Sequence, residues 1–164
     1  MKKAKEALSE CGGVYTPTKA EVKAQTFSDN LDKISSLTFF IGGFTSRQHS
    51  RSLEFLNDKV EMKRELNFFP VEDNAPPLDK EEFLTKLREL NIGEWRRNYD
   101  TQRFGLFVCD GVQWRMCIEF NDGIRAVSFS GDNACPYNFD KLLELLDVDG
   151  VNVPFFVDVK RDEN

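Results

Sequence analysis

The sequence predicts an α+β fold: an antiparallel sheet built from two units of three strands and a helix, residues 36–92 and 104–146, with the helices on one face. Three observations predict it. Short runs of alternating apolar residues fall into two groups of three. Each group is followed by one well-signalled helix. Runs of strands broken by single helices favour an antiparallel sheet covered on one face. The length of 164 residues suits a single domain over residues 35–160, preceded by a helical N-terminal arm over residues 1–34.

The arm is amphiphilic and nearly balanced in charge, with six bases and five acids. Gly12-Gly13 breaks it, and Thr16-Pro17 and Thr18 with Glu21 three residues on signal a helix start. Ser36–Ile41 then reads as a strand ending at Gly42-Gly43. Arg51–Leu56 puts Leu53 and Phe55 on one face, Asn57-Asp58 turns the chain, and Val60, Met62 and Leu66 continue at period two. Residues 69–77 read as a loop, since Pro76-Pro77 lacks the donors a sheet interior needs. Asp79 caps the next helix with Glu82 in capping-box position, and Leu78 and Phe83 stand at staple spacing. Phe83, Leu84, Leu87 and Leu90 form its apolar stripe, and Gly93 offers the stop.

The second unit opens with Phe104–Cys109, Asp110-Gly111 and Val112–Phe120, which read as a tight hairpin. Asn121-Asp122-Gly123 turns the chain again into Ile124–Ser130. In the register this implies, Phe107 faces Trp114, Met116 faces Phe129 and Ile118 faces Val127. Phe107, Val112, Trp114, Met116, Ile118, Phe120, Val127 and Phe129 then share one face with Arg125 at its rim. Gln113, Arg115, Glu119 and Ser128 take the other. Cys109 and Cys117 fall on opposite faces, so they cannot share a metal or a disulfide without a bulge. Asn138 is expected to cap a helix over residues 138–146. Val151–Val159 alternates as a last strand, with Pro154 assigning it to an edge or a bulge.

Composition excludes several functions. Twenty-eight acids against 22 bases give a net charge of −6, which argues against a general nucleic-acid binder. From Phe139 onward the tail alone carries seven acids and three bases. The longest uncharged run, Ile34–Ser46, is too short and too polar to span a bilayer. Met1-Lys2-Lys3 starts like a signal peptide, but Glu6 and Glu10 occupy its apolar stretch, and Leu8-Ser9-Glu10-Cys11 fails as a lipid-attachment site for the same reason. A cytoplasmic protein with no membrane contact is the expectation. The cysteines, Cys11, Cys109, Cys117 and Cys135, form no CxxC pair and read as reduced thiols. His49 is the only histidine, so no site can draw two His ligands from this chain. No metal or cofactor is expected.

Trp95, Tyr99, Asp110-Gly111 with Trp114, Gly123, Gly131-Asp132-Asn133, Pro136, Asn138-Phe139 and Leu142-Leu143 form a spaced pattern. It resembles a group of small uncharacterised bacterial proteins with the same tryptophan, Asp-Gly and Gly-x-Asn spacing over residues 95–143. The resemblance implies a bacterial or phage origin and a true domain, and it carries no activity and no catalytic residue with it.

Three segments are candidate sites. Glu94–Arg103 interleaves aromatics and arginines, so Trp95, Arg96, Arg97 and Tyr99 are candidate anchors for a protein partner. The competing reading packs Trp95 and Tyr99, four residues apart, from a helical turn onto the sheet. In Gly42–Arg51, Arg47, His49 and Arg51 recur every second residue and would line one side of a strand. Arg47 and His49 form the second candidate contact, against a plain solvated edge. Gly131, Asp132, Asn133 and Asn138 lie between a strand and a helix, where a ligand loop can form, although turn chemistry and capping explain the same residues. Catalysis would need Cys135 or Cys109 as nucleophile with His49 as base, and no local motif supports that. The sequence is therefore read as a non-catalytic cytoplasmic module that binds another protein. The alternative is a small-ligand or nucleotide binder, or a hydrolase, that uses the Gly131–Asn138 loop.

Overall fold

Alternation of apolar and polar side chains along the strands decides which face of the sheet becomes the core. The computed structural model describes residues 15–43, 46–72, 76–106, 111–151 and 156–158, with residues 103–104 and 156–158 as backbone only. Among the described residues, ten strands and three α-helices give an α+β architecture whose main sheet is mixed and mostly antiparallel.

Thr18 opens helix α1 (Lys19–Asp29) with a full capping box: its Oγ1 accepts from Glu21 N at 3.2 Å and its N–H donates to Glu21 Oε2 at 2.8 Å. Phe27 leaves the last turn of α1 and meets Phe120 and Phe129 edge-on at 6.1 and 6.4 Å. Leu31 follows it into the interior. The described end of the arm is thus part of the core.

Strands β1 (Ile34–Gly43), β2 (His49–Phe55) and β3 (Lys59–Leu66) form the expected antiparallel meander. The segment read as a loop, residues 69–77, opens with a short strand, β4 (Phe69–Pro70), and another, β5 (Leu78–Asp79), follows the segment; the two pair with the two ends of β3. Helix α2 (Lys80–Glu89) starts at Asp79, whose Oδ1 accepts from Glu82 N at 2.8 Å. Glu82 does not close the box, because its carboxylate accepts from Lys86 instead, at 2.6 Å. Asn91 takes the left-handed turn after α2 at φ 48°, where the sequence suggested Gly93. Gly93 serves a different purpose: a Cβ there would stand 2.7–2.8 Å from the backbone of Ala24, so its bareness lets α1 touch the 3-10 turn Ile92–Glu94.

The second unit departs from expectation at its start. Thr101–Phe104 is a 3-10 turn, opened by Asp100 Oδ1 accepting from Gln102 N and closed by Gly105 at φ 72°. Phe107, Cys109 and Asp110 lie outside the described residues. Strand β7 (Val112–Phe120) pairs along its whole length with β1, giving it a far longer partner than a hairpin over Asp110-Gly111 would. Its other neighbour, β8 (Val127–Asp132), has the expected register, with Met116 opposite Phe129 and Ile118 opposite Val127. β8 begins later than Ile124 because residues 121–126 form a wider turn. Strand β6 (Asn98–Asp100) adds on in parallel beyond β8, so the sheet runs β4-β3-β2-β1-β7-β8-β6. Strand β9 (Ala134–Pro136) leaves the main sheet and pairs in parallel with β10 (Phe156–Asp158). Helix α3 (Phe139–Leu145) follows β9.

Leu37, Phe39, Ile41, Leu53, Trp114, Met116, Ile118 and Phe129 share the inner face in register and are buried. Each helix brings an aromatic ring to that face: Phe27 from α1, Phe83 against Phe55 at 5.6 Å from α2, and Phe139 against Phe39 at 6.2 Å from α3. The opposite face carries Ser36, Thr38, Ser52, Arg115, Glu119 and Ser128, all half-buried or exposed.

Candidate functional site

The residues of the tryptophan and Gly-x-Asn pattern converge inside the protein. Trp114 on β7 is fully buried, stacks at a tilt with Phe139 at 4.7 Å, and donates from Nε1 to the Ala134 carbonyl at 2.9 Å. Gly131 faces that indole so closely that a Cβ would lie 2.1 Å from Trp114 Nε1. Asn133 stands at φ 53°, accepts on Oδ1 from Val112 N at 2.9 Å and donates to Asp132 at 2.8 Å. Gly111 packs on the Asn133 amide, and a Cβ there would overlap it at 1.6 Å. Asn138 was expected to cap α3. Its side chain makes no cap bond. It accepts from Trp95 Nε1 at 3.1 Å and donates to the Leu90 carbonyl at 2.7 Å, tying the start of α3 to the end of α2. Every polar group named here is satisfied inside the fold, as buried polar groups must be. Gly131, Asn133 and Asn138 thus have their chemistry spent on structure, and α3 begins at a junction, with Asp132 bonded to Asn133.

The aromatic-arginine segment divides between interior and surface. Trp95 is 2% and Tyr99 6% exposed, both in ring contact with Trp114 at 6.4 and 5.9 Å. They reach the core from an extended chain, because residues 98–100 form β6; the helical turn that their spacing suggested is absent. The Tyr99 hydroxyl accepts from Arg96 N at 3.0 Å, so even its polar end is occupied. As buried rings they offer a partner no surface in the folded state. Arg96 and Arg97 remain half-buried at the surface, and the Arg97 guanidinium lies 4.6 Å over the Phe129 ring.

The Arg47–His49–Arg51 spacing also splits. Arg47 is exposed, ahead of β2. His49 and Arg51 both turn inward, because their registers match Ile41 and Phe39 on the core face. His49 is 6% exposed. Burial, then the charges of Arg51 and Arg47, push its pKa down, with Asp149 opposing. Arg51 donates to the carbonyls of Leu146 and Asp147 at 2.9 and 2.5 Å and to Ser50 O at 2.9 Å, so it closes the C-terminal end of α3. Its pKa is lowered chiefly by burial, with Asp147 and Asp149 acting the other way.

Sequence reasoning missed the most exposed apolar feature among the described residues. The turn between β3 and β4 is Asn67-Phe68, both left-handed at φ 50° and 67°. Phe68 is 73% and Phe69 75% exposed, with Val71 beside them. Asn67 anchors the tip on the Arg47 loop: its N–H donates to Gln48 O at 2.8 Å and its Oδ1 accepts from Gln48 N at 3.0 Å. One end of the sheet therefore displays Phe68, Phe69 and Arg47 together. Two adjacent phenylalanines between Asn67 and Pro70, at a place where alternation stops, are the signal that could have revealed it.

A cysteine mechanism finds no support in this geometry. Cys135 on β9 is fully buried, and burial together with Asp140 pushes its thiol up to about 12, so the nucleophilic thiolate is not formed near neutrality. Cys109 lies outside the described residues. No described helix is long and apolar enough to cross a membrane. No protein-family model, curated protein or solved structure matches this chain.

Proposed function

We propose that this protein is a non-catalytic module that binds another protein through the Phe68–Phe69 tip with Arg47 at its rim. One observation carries the reading: two phenylalanines are held in solvent by a turn whose second position penalises a bulky side chain. A bulky side chain in the left-handed region costs roughly 1–2 kcal/mol, and an Asn-Gly turn would avoid it. Retaining Phe68 there is understandable if a partner takes up the rings, since burying each is worth roughly 1.5–3 kcal/mol. Aromatic residues with a neighbouring arginine are also the composition of interface hot spots. The free thiols of Cys117 and Cys135 suit a reducing, cytoplasmic setting.

The test is recovery of the tagged protein from its own host's lysate, beside a Phe68→Gly/Phe69→Ser bait with unchanged circular dichroism. A stoichiometric protein that binds the native bait and is lost from the variant supports the reading. A partner retained by the variant moves the contact elsewhere, and loss on Arg47→Ala alone would assign the rim charge a share. Trp95→Ala is unsuitable as a control, because it empties the core.

A further inference from the structure

A second feature lies at the opposite end of the strands, between α1 and the turn that joins β7 to β8. A cavity of about 260 Å³ opens there, with Phe27, Phe120 and Val127 among its apolar walls. Three cations surround it: Lys23 from α1, Arg97 ahead of β6 and Arg125 from the turn. Among the described residues no Asp or Glu lines it, on a chain whose net charge is −6. Arg97 carries the sharpest signal. Its Nη1 is sealed from solvent and has no hydrogen-bond partner among the described residues, although buried donors are nearly always satisfied. Lys23 and Arg97 both hold their protons less tightly than usual, through burial and, for Lys23, through the charge of Arg97. Asp122, the acid in the adjoining turn, is 3.7 Å from Lys33.

We propose that this cavity binds a small amphiphilic anion, a monocarboxylate on a short acyl or aryl body, with the carboxylate on Arg97 between Lys23 and Arg125 and the body on Phe27, Phe120 and Val127. The guanidinium fork matches a carboxylate in two parallel hydrogen bonds. A singly charged head suits mostly apolar walls better than a phosphate dianion, which is costlier to desolvate. The volume falls just below the usual small-molecule range of roughly 300–1,000 Å³, which limits the body to a short chain or a single ring. This site is independent of the Phe68–Phe69 tip.

Isothermal titration and amide NMR shifts with octanoate, 3-phenylpropionate, 1-octanol and inorganic phosphate test it on the full chain. The expected result is binding of the two carboxylates, with shifts centred on residues 23–30 and 120–129. Arg97→Met, which keeps the stem over Phe129, should weaken it at least tenfold, and Arg125→Gln severalfold. Should Arg97→Met fail to fold, Lys23→Gln/Arg125→Gln removes two exposed charges at the mouth and serves instead. No carboxylate binding at millimolar concentration, or affinity unchanged in these variants, overturns the proposal. Equal affinity for 1-octanol overturns the role of the cations, and equal affinity for phosphate overturns that of the apolar walls.

Discussion

Asn138 shows how one side chain can be legible in sequence and still be assigned the wrong task. Its position before Phe139 suggests a cap, but its amide joins Trp95 Nε1 to the Leu90 carbonyl, partners 43 and 48 residues away. Local spacing carries no trace of such distances. Asn138→Ala leaves both groups buried and unpaired, so stability should fall by about 2–4 kcal/mol in urea unfolding, with the slope unchanged. His49 makes a second residue-scale prediction. Its folded pKa is depressed, so the unfolded chain, with an ordinary value of about 6.5, takes up the proton first. Its contribution to stability is therefore full above about pH 6.5 and is lost as pH falls below that value. Thermal unfolding midpoints should drop as pH falls below about 6.5, and His49→Leu should flatten that drop.

Among the elements, those with strong local chemistry were readable in advance. Thr18 with Glu21 and Asp79 with Glu82 mark the starts of α1 and α2, since a cap needs only residues three apart. The β7–β8 register followed from alternation, because a slip of one residue would expose Met116, Ile118 and Phe129 together. The β3–β4 turn was not readable, because Asn-Phe lacks the glycine that signals such a turn. Phe68→Gly relieves the left-handed strain and should raise stability by up to about 1 kcal/mol by chemical denaturation, while removing an exposed ring. A loss of stability on that change would mean that the ring contributes to the fold.

At the scale of the molecule, two units became one sheet through β1 and β7, whose pairing joins residues 34–43 to residues 112–120. That pairing covers a strand edge on each unit and removes the need for a hairpin partner before Gly111. Helix α1 completes the same core, because Phe27 reaches Phe120 and Phe129 near the far end of the sheet. Phe27→Ala should therefore cost about 3 kcal/mol and lower the thermal midpoint clearly, as core truncations do. An unchanged midpoint would show that α1 rests on the sheet without stabilising it. The aromatic tip and the cationic cavity stand at opposite ends of the strands, so changes at one should leave binding at the other intact.

By itself the sequence determined the α+β class, the first meander, the two capped helices, the β7–β8 register and the solitary histidine. Each rests on contacts between residues close along the chain or on counting. Tertiary structure alone decided that Trp95, Tyr99, His49 and Arg51 face inward, that the Gly131–Asn138 segment is consumed by hydrogen bonds, and that Phe68 and Phe69 stand in solvent. Burial is set by what the rest of the chain brings to a residue, and pairings such as β1 with β7 have no signature in either strand alone.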